Sequence, residues 1–262
     1  GGSLAAALGR AGWQVQGLLG RGDPVAGAAH DTDLVAIATP DAAIAEVAAS
    51  IEPDPGAVVV HLAGSLGLDV LEPHPRVGAV HPLVALPDVD RGAARLVGAW
   101  FAVAGDPLAS RVVADLGGRG FAVADADRAA YHAAAVVASN HLVALLGQAE
   151  RIATSSGVPA EAFVDLAAAT LANVAELGPA QALTGPAARG DWDTIARHLA
   201  ALDPAERPAY RAMADAARRL VDPDGLPPPS PRSAPRWTRR GAGAPRWASC
   251  PPWATSTTAT PP

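Results

Sequence analysis

The sequence predicts a two-part α/β chain, with a parallel-sheet domain over residues 1–124 and an all-helical domain over residues 125–222. Three observations predict it. Short apolar runs recur through the first part between helical stretches, and their lack of alternation suits strands buried on both faces of a parallel sheet. From about Asp125 the pattern is helical throughout, with Gly147 the one glycine or proline between Asp127 and Ser155. The first 22 residues, moreover, read as the later half of a strand–helix–strand unit that holds a dinucleotide.

That opening segment comes first in order. Ser3–Arg10 is helix-like and stops at Gly12; Val15–Leu19 is a short apolar strand, followed by Gly20 and Arg21. In a G-x-G-x-x-G unit, a strand leads into the glycines and a helix starts on them. A second strand then ends about 20 residues on, at the residue that meets the adenosine ribose. Gly1 takes the place of the third glycine, so the sheet is expected with its first strand missing. Gly1 and Gly2 allow close approach of a pyrophosphate, and Ser3 is placed to cap the helix. The ribose position carries Arg21. An acid there would bond the 2′-hydroxyl of NAD, whereas a guanidinium favours the 2′-phosphate of NADP. The alternative for Arg21 is a plain surface arginine after a strand.

Leu34–Ala38 is the next strand, followed by Thr39-Pro40-Asp41 and a helix over Ala42–Ser50. Pro40 fixes the turn, Asp41 can cap the helix, and Thr39 with the local backbone can contact a cofactor. Ala57–Leu62 is a strand that ends in Ala63-Gly64-Ser65, and Val77–Val80 is one that ends in His81-Pro82. Trp100–Val103 and Phe121–Val123 are weaker strands. Ligands of parallel sheets sit beyond the carboxyl ends of the strands, where Thr39, Ser65 and His81 all fall. In the second part, one long helix over Asp127–Ser155 precedes helices at about 160–177, 191–202 and 205–221. These helices are apolar nearly all round and want cover on several sides, which a homodimer would provide.

Composition bounds the function. The formal net charge of −6 argues against a nucleic-acid partner. The single cysteine, Cys250, excludes an internal disulfide framework and a cysteine zinc site, and the histidines show no metal-ligand spacing. No apolar run of about 18 residues lacks polar interruption, so no membrane partner is expected and the location expected is cytoplasmic. All 20 basic residues are arginine, so neither a Schiff base nor a lysine general acid is available. Residues 225–262 hold five of these arginines, three of the six tryptophans, Cys250 and no acid. That stretch reads either as a disordered basic tail or as an out-of-frame translation of GC-rich DNA, with the second favoured.

Five stretches carry a family resemblance: DLVAIATPD at 33–41, VVVHLAGSLG at 59–67, GAVHPLVALPD at 78–88, YHAAAVVASNHLVAL at 131–145 and LTGPAARGDWDTIARHL at 183–199. The chain resembles the Rossmann-like, DUF2520 domain-containing proteins. These are related to the pyrroline-5-carboxylate reductase and F420-dependent NADP oxidoreductase families. The resemblance implies an N-terminal NADP-type domain, a helical C-terminal domain, dimerisation, and a reductase or dehydrogenase with a small-molecule substrate. NADP is the expected cofactor and NAD the alternative; F420 enters through family association alone.

Within the long helix, His132, Ser139 and Asn140 are seven and eight apart and share one face of a regular helix. Related dehydrogenases deliver a lysine and an asparagine to substrate from such a helix, and this chain has no lysine. His132 is therefore read as the proton donor to the alkoxide formed by hydride transfer, with Asn140 orienting the carbonyl. Ser65 and His81 complete the catalytic set; Gly1, Gly2, Ser3, Arg21, Thr39 and Pro40 form the cofactor set. The function expected is hydride transfer between NADP and a small carbonyl or imine. The alternatives are a non-catalytic dinucleotide-sensing dimer and an inactive fragment of the enzyme. With the glycine loop incomplete, residues 1–262 are expected to bind NADP weakly.

Overall fold

A computed structural model describes residues 1–154 and 156–222, and the tail read above at 225–262 lies outside the described residues. The chain divides into two compact units, Gly1–Ala168 and Ala169 onward. The first unit is built on a five-stranded sheet in chain order: β1 (Leu34–Ile37), β2 (Val58–His61), β3 (Val77–Pro82), β4 (Trp100–Gly105) and β5 (Arg119–Phe121). β1, β2 and β3 are mutually parallel. The apolar run at β2 becomes the most buried strand, with Val58, Val59 and Val60 at most 1% exposed.

The two sheet faces hold separate cores. On one, Val58, Val60, Val80 and Phe101 meet Leu4 and Leu8 of α1 (Gly2–Arg10), Leu96 of α3 (Val89–Leu96) and Val112 of α4 (Pro107–Asp115). On the other, Ile37 and Val59 pack with Ile44 and Ala48 of α2 (Ile44–Ser50) and with Leu71. A side chain of Leu or Val size buried this way stabilises by about 1.5–3 kcal/mol.

The sheet is parallel-dominant as expected, with one antiparallel pair: β4 runs antiparallel to β3 while β5 runs parallel to β4. Pro82 at the end of β3 pairs with Phe101 at the start of β4, so the chain turns back at the strand end where it left. Against expectation, residues 15–19 form no strand. Gln16 donates through its side chain to Asp31 O at 2.7 Å and accepts from Thr32 Oγ1 at 3.0 Å. Backbones held apart by a side chain cannot make a ladder, which needs strands about 4.8 Å apart, and Leu18 and Leu19 stay exposed.

The long helix forms as α5 (Arg128–Val136), a π-helical segment (Val137–His141) and α6 (Leu142–Thr154). By length and composition the run Asp125–Thr154 could cross a membrane, and none of its most apolar window is buried. α7 (Ala160–Leu177) follows. The second unit holds α8 (Pro179–Ala182), α9 (Pro186–Arg189), α10 (Trp192–Ala201) and α11 (Arg207–Val221). Asp191 caps α10, accepting from Thr194 N at 3.0 Å.

Candidate active site

Because β1, β2 and β3 are parallel, their carboxyl ends open on one side of the sheet, and the chemistry-bearing residues collect there. His61 ends β2 and is fully buried. Its Nε2 donates to Gly67 O at 3.1 Å and its Nδ1 accepts from Ala63 N at 3.2 Å. Both ring nitrogens are thus used in holding the 63–67 turn, and burial lowers the pKa further, keeping the ring neutral. His61 is a structural histidine.

His81, at the end of β3, is different. Its Nδ1 lies 2.7 Å from Tyr131 Oη on α5. A phenol is the stronger donor and a neutral imidazole nitrogen the stronger acceptor, so Tyr131 donates. That leaves Nε2 to carry the proton of His81, facing Gly64 and His132. Burial first, and then the neighbouring charge of His132, push the His81 pKa down to about 4. Burial raises that of Tyr131. The pair is neutral at physiological pH.

His132 sits one residue beyond Tyr131 and meets His81 edge to face, with ring centroids 5.8 Å apart. The two rings close over Gly64. A Cβ there would stand 2.7 Å from His132 Cδ2 and 2.9 Å from His81 Nε2, closer than any side chain is tolerated. The glycine at the end of the β2 turn is what lets α5 approach the sheet. Ser65 donates to Asp41 Oδ2 at 2.9 Å, tying the ends of β1 and β2 together. Asp41 therefore does not cap the helix as expected. It heads a 3-10 turn over Asp41–Ala43, and no side chain caps that turn.

Ser139 and Asn140 do not join this cluster. They lie in the π-helical segment, are exposed, and bond to each other, with Ser139 Oγ donating to Ala135 O at 2.7 Å and to Asn140 Oδ1 at 2.8 Å. Residues seven and eight apart share a face only where the helix keeps 3.6 residues per turn. A π segment adds a residue to the turn and rotates everything after it.

Of the cofactor set, Gly1 is the N-cap of α1 and stands beside Ala38 at the end of β1. Ser3 is buried inside α1 and does not cap it; its hydroxyl donates to Asp88 O at 3.3 Å. Gly2 packs against Val89 of α3. Thr39 has a buried Oγ1 with no hydrogen-bond partner among the described residues. Pro40 follows it, exposed, as the N-cap of the 3-10 turn. Arg21 is exposed in a turn.

Two residues went unmentioned in the sequence reading. Tyr131 is one. The other is Arg128, the first residue of α5, whose side chain is 1% exposed. The signal was spacing: Arg128 lies three residues before Tyr131 and four before His132, which puts all three on one helix face.

Residues 100–217 match the family described as Domain of unknown function (DUF2520). That match spans a little under half of the chain, and the sheet and helices around it have a Rossmann-like fold. No curated protein matches it in sequence. Among solved structures, it is similar to a Bacteroides fragilis protein provisionally described as an NADP oxidoreductase. They share 24% identity at a TM-score of 0.71, over 83% of this chain and 93% of that one. It is also similar to the Plasmodium falciparum pyrroline carboxylate reductase with NADP bound, at 12% identity, a TM-score of 0.52, and coverage of 84% and 94%. An Aspergillus terreus reductive aminase, in complex with NADPH and ethyl levulinate, is similar at 17% identity and a TM-score of 0.52, over 72% and 74%. The DUF2520 domain therefore stands in a chain with the general fold of NADP oxidoreductases.

Proposed function

We propose that this chain is an NADP-dependent oxidoreductase acting on a small carbonyl or imine compound. The observation that carries the proposal is the His81–Tyr131–His132 cluster, closed over Gly64 at the carboxyl edge of a nucleotide-binding type of sheet. The residues present fit a dinucleotide. The amino end of α1 beside Ala38 offers backbone N–H groups and the positive end of a helix dipole to phosphate. The partnerless buried hydroxyl of Thr39 offers a hydrogen bond one residue further along. The preference for NADP over NAD rests on the sequence position of Arg21, an exposed guanidinium about 20 residues after Gly1.

When bound, the nicotinamide supplies the hydride. The protein's part is to hold the substrate and deliver a proton. His132 is half-buried and presents its ring to the site, so it is the group that donates a proton to the reduced oxygen or nitrogen. His81, kept neutral, buttresses the His132 ring edge-on and is itself anchored by Tyr131. Ser65, fixed by Asp41, is placed to orient the carbonyl. The similar structures that hold NADP or NADPH support this reading at the level of fold.

The partner we infer is a second copy of the chain. The long helix leaves Val137 and Val143 57% and 71% exposed, and α7 leaves Val164 and Leu171 more than half exposed. A second copy would cover them.

The test follows NADPH oxidation at 340 nm against a panel of keto acids, ketones and imines. His132→Gln should lower kcat about 100-fold or more while leaving NADPH affinity unchanged. Full activity in that variant would remove His132 from the mechanism.

A further inference from the structure

We propose that Arg128 is an anion anchor and that the substrate is a carboxylate-bearing carbonyl or imine compound. The proposal rests on the reductase reading above and adds to it the chemical class of the substrate.

Arg128 is placed against expectation. It opens α5, where the helix dipole is positive and acids are the usual occupants. It is also almost wholly buried, with 1% of its side chain exposed. A guanidinium has five N–H donors in a planar fork. One of them, Nε, donates to Asp125 Oδ1 at 2.9 Å. Both terminal nitrogens are buried without a hydrogen-bond partner among the described residues. A purely structural arginine at such a place would have its fork filled by carbonyls or a carboxylate, because buried charged donors left bare are strongly unfavourable. The bare edge here is the one that takes a carboxylate in two parallel hydrogen bonds.

The fork belongs to the site. Arg128, Tyr131 and His132 occupy positions i, i+3 and i+4 of one helix face. Tyr131 is bonded to His81, and His132 closes on Gly64. The positive charge of Arg128 is felt at His61, His81 and Tyr131. Below the fork, Gly67 accepts from His61, and a Cβ on Gly67 would meet Asp69 and Asp125. Asp125 has 64% of its side chain exposed and is screened by solvent, so it neutralises the guanidinium only from the outside. Asp41 is engaged by Ser65. The remaining unmet demand is for an anion at the two terminal nitrogens of Arg128, on the helix face that carries His132.

Thermal unfolding of the full chain tests this. Wild type, R128M and R128K are each titrated with acetate, pyruvate and succinate, with acetamide at matched ionic strength as the neutral control. NADPH affinity is measured alongside by fluorescence. At least one carboxylate should raise the wild-type Tm dose-dependently, while acetamide does not. R128M should lose that response and keep NADPH affinity. R128K keeps the charge but not the fork, so its midpoint concentration should rise about tenfold. The proposal is overturned if no carboxylate shifts the wild type, or if R128M responds as wild type does. Should R128M fail to fold, an R128K midpoint equal to that of wild type overturns it. A carboxylate response dependent on Arg128, without NADPH binding by any form, would sustain the anchor and remove the reductase reading.

Discussion

Protonation of His81 offers a measurable handle on the site. Its pKa falls from 6.5 in the unfolded chain to about 4 in the folded one, because burial and the neighbouring His132 disfavour its charge. Between those values the unfolded state binds a proton that the folded state refuses, so stability rises with pH across the window. The contribution is fully present above pH 6.5 and is lost as pH falls towards 4. At 1.36 kcal/mol per pH unit, the full interval corresponds to about 3 kcal/mol, and partial exposure of the ring reduces this to about 2 kcal/mol. His61 acts in the same direction through its own burial. Asp106, Asp115 and Asp191 have pKa values held below 3.8 by their hydrogen bonds, so their losses fall beneath the window. Urea unfolding followed by far-ultraviolet circular dichroism at pH 7.5, 6, 5 and 4.5, in wild type and His81→Gln, isolates the term. Glutamine still accepts from Tyr131 but does not titrate. The variant should lose about 2 kcal/mol less than wild type between pH 7 and 4. Parallel stability curves would show that His81 titrates normally and that the buried His81–Tyr131 pair is not as described.

Two further outcomes follow from the geometry. Gly64→Ala places a methyl against both His81 and His132, which should cost about 1–3 kcal/mol and reduce turnover far more than the fall in stability explains; unchanged kinetics would mean that the rings do not close on this turn. Val143→Arg on the exposed face of α6 should convert a dimer to monomer in light scattering, whereas a wild type that is already monomeric would remove the inferred partner.

Much of the sheet was legible because burial writes itself into sequence. Val58–Val60 is apolar on both faces and becomes the most buried strand. The reversal of β4 was not legible, since Trp100–Gly105 has the same apolar character whichever way it runs, and its direction is set by where the 83–99 connection returns. Val15–Leu19 has the composition of a strand, but pairing depends on a neighbour at ladder distance. At the site, the strand-end positions of Thr39, Ser65 and His81 were readable from the rule that ligands gather at carboxyl edges. His132 was found by helical spacing, and the same spacing misplaced Ser139 and Asn140, because the π segment at Val137–His141 breaks the period it relied on. Arg128 escaped notice among Asp125, Asp127 and the alanines around it, since a charged residue at a helix start ordinarily reads as solvated surface.

The central claim is that the carboxyl edge of β1–β3 receives a nicotinamide dinucleotide. NADPH fluorescence titration of the full chain, beside Thr39→Val, tests it most directly. The account predicts weak but saturable binding with Kd below about 1 mM. Loss of the Thr39 hydroxyl should weaken that binding about fivefold. Absence of saturable binding, or binding indifferent to Thr39, would contradict it.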